Sequence, residues 1–444
     1  MFKSLIFGLL MLLSANFVVA QTDSALADID PSGQTIVYWH HWALHQQDAV
    51  ESLVQQFNAT NEWGITVEAI NQGSTGTIAD LVSAGIISGE LPNLASSFQT
   101  AAQSFYLDGA VVALDDYMND PVWGLGEERI AALLPERIND NRFPGEPFND
   151  QLLLWPMGVS ANVLNINMDM LAQVSYDRAP QTLEEMREVV CATSQIEGLR
   201  GFPIRTNASD LLSFVVSQGG HFFDEEADRY DFTNDAVITV LTWYQELIND
   251  GCAYIPESAF AGTNEMAFGL NPMGMGSTTG VPFINALIED SESGVETWAM
   301  AEPPWSEGNR ALQVFQTSLI MIPSTPEQQL ATWLFIKFLD SAEGRSQWNQ
   351  QVIYHPYAEG DDLLMSEEFL MEIPQWQQVM DIINNPDVRK FTAPRTLSYG
   401  QVAGLVADTV ASVISGGADP LEAAEQLEAD ANAIHADVQG SLGR

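Results

Sequence analysis

Lysine is nearly missing from this chain: Lys3, Lys337 and Lys390 are the only three among 444 residues, so almost all of its sparse positive charge is arginine. Sixteen Lys and Arg stand against 60 Asp and Glu, a formal net charge of −44. Nucleic acid and anionic membrane surfaces both require cationic patches, so neither is expected as a partner. The acidic residues are spread along the whole chain rather than clustered, which reads as a solvated surface suited to salty surroundings; attraction of a cationic ligand is the alternative. Cysteine is also scarce, with only Cys191 and Cys252. Two cysteines this far apart, without histidines beside them, do not make a zinc site, and no metal or cofactor is expected. His41 and His45 have the spacing of a metal pair, but no third ligand is evident, and they read as ordinary surface histidines. No Gly-x-Ser-x-Gly, His-Glu-x-x-His or Gly-x-x-x-x-Gly-Lys stretch occurs, which removes the commonest hydrolase, metalloprotease and nucleotide signatures. Beyond the first twenty residues no apolar run is long enough to span a bilayer.

Those first twenty residues carry Lys3, the apolar run Leu5 to Leu13, and Val18-Val19-Ala20 before Gln21, the order of a cleavable signal peptide (1–20). No cysteine follows the cleavage site to take a lipid. In an oxidising compartment Cys191 and Cys252 are expected to form one intramolecular bridge, with two buried free thiols as the alternative. Residues 21–34 mix Asp, Ser, Gly and Pro and read as a flexible leader.

From there strands and helices alternate. Ile36-Val37-Tyr38 reads as a strand, Val50, Leu53, Val54 and Phe57 fall at helical spacing, and Ile65, Val67 and Ala69 alternate as a second strand. Ile78, Leu81 and Val82 mark a second helix before an apolar strand at Leu94 to Phe98. This β-α-β-α-β order predicts a mainly parallel sheet with covering helices. Further on, Val237, Val240, Leu241, Tyr244, Leu247 and Ile248 stripe a helix that Gly251 ends. Thr325-Pro326-Glu327-Gln328 is a capping-box start, and Asp419-Pro420 opens the last helix. An apolar fraction of 46% and this length predict a large α/β protein with at least two sheets.

Several stretches, in order, resemble the extracellular solute-binding proteins of the carbohydrate and glycerol-phosphate group. They are Val37-Tyr38-Trp39-His40, Phe57-Asn58-Ala59-Thr60-Asn61, Ser88-Gly89-Glu90-Leu91-Pro92-Asn93, Trp155 to Ser160 leading into Val163 to Asp169, Met273 to Gly280, Ser318-Leu319 and Tyr354. The resemblance covers nearly the whole mature chain. It implies the two-lobed periplasmic-binding-protein fold (type II): two α/β lobes, each a mainly parallel sheet flanked by helices, joined by hinge strands. Lobe one would be 35–157 plus 299–340, and lobe two 158–298 plus 341–444. It implies a periplasmic, monomeric, non-enzymatic protein whose partners are a small solute and the permease subunits of an ABC importer.

A buried polar solute needs its hydroxyls matched and its carbon face laid on aromatics. The resemblance places ligand contacts on Thr75, Gln99, Ser160, Ser277, Gln316 and Tyr354. Trp42, just after the first strand, is a candidate stacking platform, and Ser277 sits in a glycine-rich loop able to offer backbone N–H groups. Two departures from the glycerol-phosphate pattern matter: the acidic contact falls on Gln99, and the late arginine falls on Ala403, with Arg395 eight residues earlier as a substitute. A phosphate dianion wants a bidentate arginine, so a neutral sugar or polyol is favoured over glycerol 3-phosphate or a glycerophosphodiester. The rivals are a secreted carbohydrate-acting hydrolase and a receptor or adhesion subunit on the same fold.

Overall fold

The computed structural model describes residues 24–291 and 293–441, so the expected signal peptide and the first three residues of the leader lie outside the described residues. Among the described residues no helix is long and apolar enough to cross a membrane. The strands in chain order are β1 Thr35–His40, β2 Thr66–Asn71, β3 Leu94–Ser97, β4 Trp155–Pro156, β5 Ser160–Asn167, β6 Phe202–Pro203, β7 Phe223–Asp224, β8 Arg229–Tyr230, β9 Ala253–Tyr254, β10 Met273–Ser277, β11 Trp298–Ala301, β12 Ala311–Phe315, β13 Ser318–Met321 and β14 Arg389–Phe391.

The opening alternation forms as its pattern predicts. Helix His45–Thr60 buries Val50, Leu53, Val54 and Phe57, and helix Thr75–Ser88 buries Ile78 and Val82 under a Ser74 cap, although Leu81 faces out. β1 pairs in parallel with β2 and β3, which gives the first sheet its parallel half. The sheet order is β2-β1-β3-β13-β4, and β13 is antiparallel to both β3 and β4. The second sheet is built around β5, all eight of whose residues are buried because both faces are covered. β5 pairs antiparallel with β10, β11 and β12, and β14 adds in parallel to β12. This sheet is therefore mixed, where the resemblance implied mainly parallel pairing. Helix Asp235–Asn249 packs Val237, Val240, Leu241, Tyr244 and Leu247 inward, and Cys191 and Cys252 are joined by a disulfide. Thr325 caps helix Pro326–Leu339 by accepting from the Gln328 N–H, and Asp419 accepts from Leu421 and Glu422 at the last helix.

Three expected boundaries shift. β11 and β12 hydrogen-bond to β5, so 298–301 and 311–315 are strands of the second sheet, and the chain returns to the first through Gln316-Thr317. Helix Ala342–Val352 packs on helix His45–Thr60, with Gln347 Nε2 donating to Ser52 Oγ at 2.8 Å, so residue 341 does not begin lobe two. Residues 24–34 are held rather than free: Leu26 is buried, the Trp123 indole donates to its carbonyl at 3.1 Å, and Ser24 Oγ donates to Asp120 at 2.7 Å.

Candidate functional site

Beside the crossings between the two sheets lies a cleft of about 1160 Å³. One wall is the loop Ala43–Gln46, where β1 hands over to its helix. The other is second-lobe structure: the inner part of β5, the Arg205–Ser209 loop, the Ile255–Phe260 loop, the end of β10 with its glycine turn, and helix Val281–Ser291.

The inner part of the cleft carries a hydrogen-bonded polar network. Asn207 caps helix Ala208–Ser217 by accepting from the Asp210 N–H at 2.9 Å, which fixes Asp210 in the first turn. Asp210, 2% exposed, takes both Nε and Nη2 of Arg205, at 2.7 and 2.6 Å. Burial pulls the Arg205 guanidinium down and the carboxylate more than offsets it, so its pKa lies above the ordinary value. Asn162 Nδ2 donates to Asp210 at 3.1 Å and to Ser213 Oγ at 3.0 Å, and Ser213 donates to Gln313 at 2.8 Å. Among the described residues lining the cleft, Arg205 is the one cation, and Glu257 and Asp290 are anions. Asn165, 1% exposed, lines the same space with neither amide atom hydrogen-bonded. Glycine at 276 leaves room for its side chain in this position: a Cβ there would lie 2.3 Å from Asn165 Nδ2.

Of the residues named from sequence, Ser277 lies on this wall, capping the turn Thr278–Gly280 through its contact with the Thr279 N–H. Gln99 and Gln316 meet each other at the return crossing. Gln99 Nε2 donates to the Gln316 carbonyl and to Asn141 Oδ1, both at 3.1 Å, while Gln316 accepts from Asn141 Nδ2 at 2.7 Å. Trp42 and Tyr354 also come together, ring centroids 5.9 Å apart and nearly perpendicular, with Trp348 at 4.9 Å from Trp42. Both are buried, the Trp42 indole donates to Tyr38 Oη at 3.1 Å, and Tyr354 lies over Gly158, whose φ of 147° and missing Cβ leave room for the ring. Ser160 is buried at the start of β5, opposite Phe315. Thr75 opens its helix on the first lobe, away from the lining. Arg395 donates to the Asn139 carbonyl at 2.8 Å and is not part of the lining.

His41 and His45 are not fully exposed surface histidines. His40 is 2% exposed, His41 and His45 are half-buried, and burial holds His40 and His41 down at about 4. No group of three or more metal-ligating side chains exists among the described residues. The sequence reading missed Asn162, Asn165, Arg205 and Asp210. The Asn207-x-x-Asp210 helix start was a visible signal for the last two, since it fixes a carboxylate close to Arg205.

Two α/β lobes with a cleft that is polar only in its inner part define a two-lobed binding protein. The chain belongs to the bacterial extracellular solute-binding protein family, which residues 52–359 match. No curated protein matches it. Among solved structures it is similar to UgpB of Mycobacterium tuberculosis in complex with glycerophosphocholine, at 18% identity and TM-score 0.75, over 92% of this chain and 99% of that one. It is similar to the sugar-binding protein MalE of the phytopathogen Xanthomonas citri, at 17% identity and TM-score 0.75, over 93% and 100%. It is also similar to a solute-binding protein of Agrobacterium radiobacter K84 in complex with ribitol, at 18% identity and TM-score 0.70, over 91% and 99%.

Proposed function

We propose that this protein captures a neutral polyhydroxylated solute, a sugar or polyol, in the cleft and delivers it to the permease subunits of an ABC importer. It works as a periplasmic monomer without catalysis. The observation that carries the reading is the state of the cleft's one cation. Arg205 is already neutralised by Asp210 in a two-point pair, so it offers a fixed donor without net charge, suited to a hydroxyl. An anion would instead meet Glu257 and Asp290 with no unspent cation to balance it. Asn165, with both a donor and an acceptor unmatched, suits a hydroxyl that does both. Ribitol, bound in one of the similar structures, is of this class, whereas glycerophosphocholine, bound in another, is a phosphodiester and belongs to the alternative. Solute touching both walls would favour a closed arrangement of the lobes, which is the form a permease distinguishes.

The test is a thermal-shift and calorimetric screen of sugars and polyols against their phosphate esters. A neutral compound at a hundredfold excess over Kd stabilises by about 2.7 kcal/mol and is recovered unchanged. Binding of phosphate esters alone refutes the neutral reading, and consumption of the compound supports the hydrolase instead.

A further inference from the structure

We infer that the solute is amphipathic: a polyhydroxylated head carrying an apolar substituent, as in an aryl or alkyl glycoside, with Leu44, Ile255, Phe260 and Phe283 forming the subsite for that substituent. This rests on the proposed sugar or polyol reading and adds the second half of the molecule.

The cleft changes character from inside to outside. Its buried part presents Asn162, Asn165 and the Arg205–Asp210 pair. Its outer part presents Phe260 at 73% exposure, Leu44 at 68%, Ile255 at 42% and Phe283 at 39%. Large apolar side chains gathered at one concave mouth mark a binding surface, whereas scattered ones need no explanation. The chain has 11 Trp and 10 Tyr, yet none lines this cleft among the described residues. Trp and Tyr combine a ring with a hydrogen-bonding tip and suit a bare sugar. Leucine, isoleucine and phenylalanine at a wet mouth offer only apolar carbon, which matches a substituent and not a hydroxylated ring.

Leu44 argues most strongly. It occupies the cap position of helix His45–Thr60, where Ser, Thr, Asp, Asn or Gly is expected, and it makes no side-chain cap hydrogen bond. Its φ of 53° and ψ of −130° are unfavourable for any residue but glycine. It is also mostly exposed. Among the described residues, a lost cap, a strained backbone and a solvated apolar side chain coincide at this one residue, which points to a ligand that covers it. His45, the next residue, packs its ring 4.9 Å from Phe283, so the Leu44 loop and the opposite wall meet at this mouth. Glu257, Asp290 and the overall charge oppose an anionic lipid surface here, and the concave shape suits a small molecule.

The experiment is calorimetry of the full chain with paired methyl and phenyl glycosides of common hexoses and pentoses. For a sugar that binds, the phenyl glycoside is expected to bind at least about tenfold tighter, a factor worth about 1.4 kcal/mol. In Phe260→Ala and Leu44→Gly that ratio falls toward one, because phenyl glycoside affinity drops by more than methyl glycoside affinity. Leu44→Gly also relieves the positive φ, so its melting temperature is expected to be no lower than wild type, which keeps the test free of misfolding. Equal affinities for phenyl and methyl glycosides in the wild type overturn the inference and leave the sugar reading standing. So does an equal weakening of both by the substitutions, which assigns the four side chains to covering one another on closure. Binding of neither glycosides nor free sugars and polyols overturns both.

Discussion

His355 is expected to make this protein acid-sensitive in a window set by its burial. The ring is wholly buried, stacked on Trp376 with centroids 5.3 Å apart and 10° between planes. Nδ1 lies 3.3 Å from the Val159 carbonyl and Nε2 3.2 Å from the Trp376 carbonyl. Burial holds its pKa down at about 4 from 6.5, against a smaller upward pull from those carbonyls. Because the folded value lies below the unfolded one, the full contribution is present above pH 6.5 and is lost as pH falls toward about 4. At about pH 4.5 the unfolded chain has gained protonation free energy that the folded one largely lacks, a loss of about 2.5 kcal/mol. The assay is urea unfolding of wild type and His355→Gln, followed by tryptophan fluorescence, at about pH 7 and about pH 4.5. Glutamine does not titrate, so any stability deficit of the variant at neutral pH should shrink by about 2.5 kcal/mol in acid. Val159 and His355 exchange backbone hydrogen bonds of 2.9 and 2.8 Å beside the first crossing, so this loss loosens the seam between the lobes. A gap between the two proteins that stays constant with pH would refute the reasoning.

Asp210→Ala leaves the Arg205 guanidinium, whose side chain is only 19% exposed, without its partner. The expected loss is about 3–5 kcal/mol in unfolding free energy, and a loss below about 1 kcal/mol would show that the pair does not set this wall. Paired Cys191→Ser and Cys252→Ser substitutions remove a cross-link spanning 61 residues. Loop-closure entropy puts the expected destabilisation near 4 kcal/mol, read by urea unfolding with and without reductant, and no difference between oxidised and reduced wild type would refute it.

The first sheet was readable because its signals are local. β1, β2 and β3 each alternate or run apolar within a few residues, and the helices between them carry their own stripes and caps. The second sheet was not readable in the same way. β5 has both faces covered, so the alternation of Ser160-Ala161-Asn162-Val163 slips phase at Leu164 and marks no solvent face, and its partners come from 273–277, 298–301 and 311–315, far along the chain. That is why the pairing of β11 and β12 with β5 was not legible from the sequence. The site shows the same split. Ser277 announced itself through glycines beside it, whereas Asn162 joins Asp210 only because β5 and a helix 48 positions later pack together. Gln99 and Gln316 were named because the resemblance places ligand contacts there, and the fold spends their polarity on each other and on Asn141.

The placement of β13 has a consequence for how the molecule is made. It lies between β3 and β4, both synthesised long before it. Until Ser318–Met321 leaves the ribosome, Leu94–Ser97 and Trp155–Pro156 have an open slot between them, with backbone donors and acceptors of β3 unspent. A nascent chain halted short of that point is an aggregation hazard and not half a protein, and no single cut through the gene separates one intact lobe from the other.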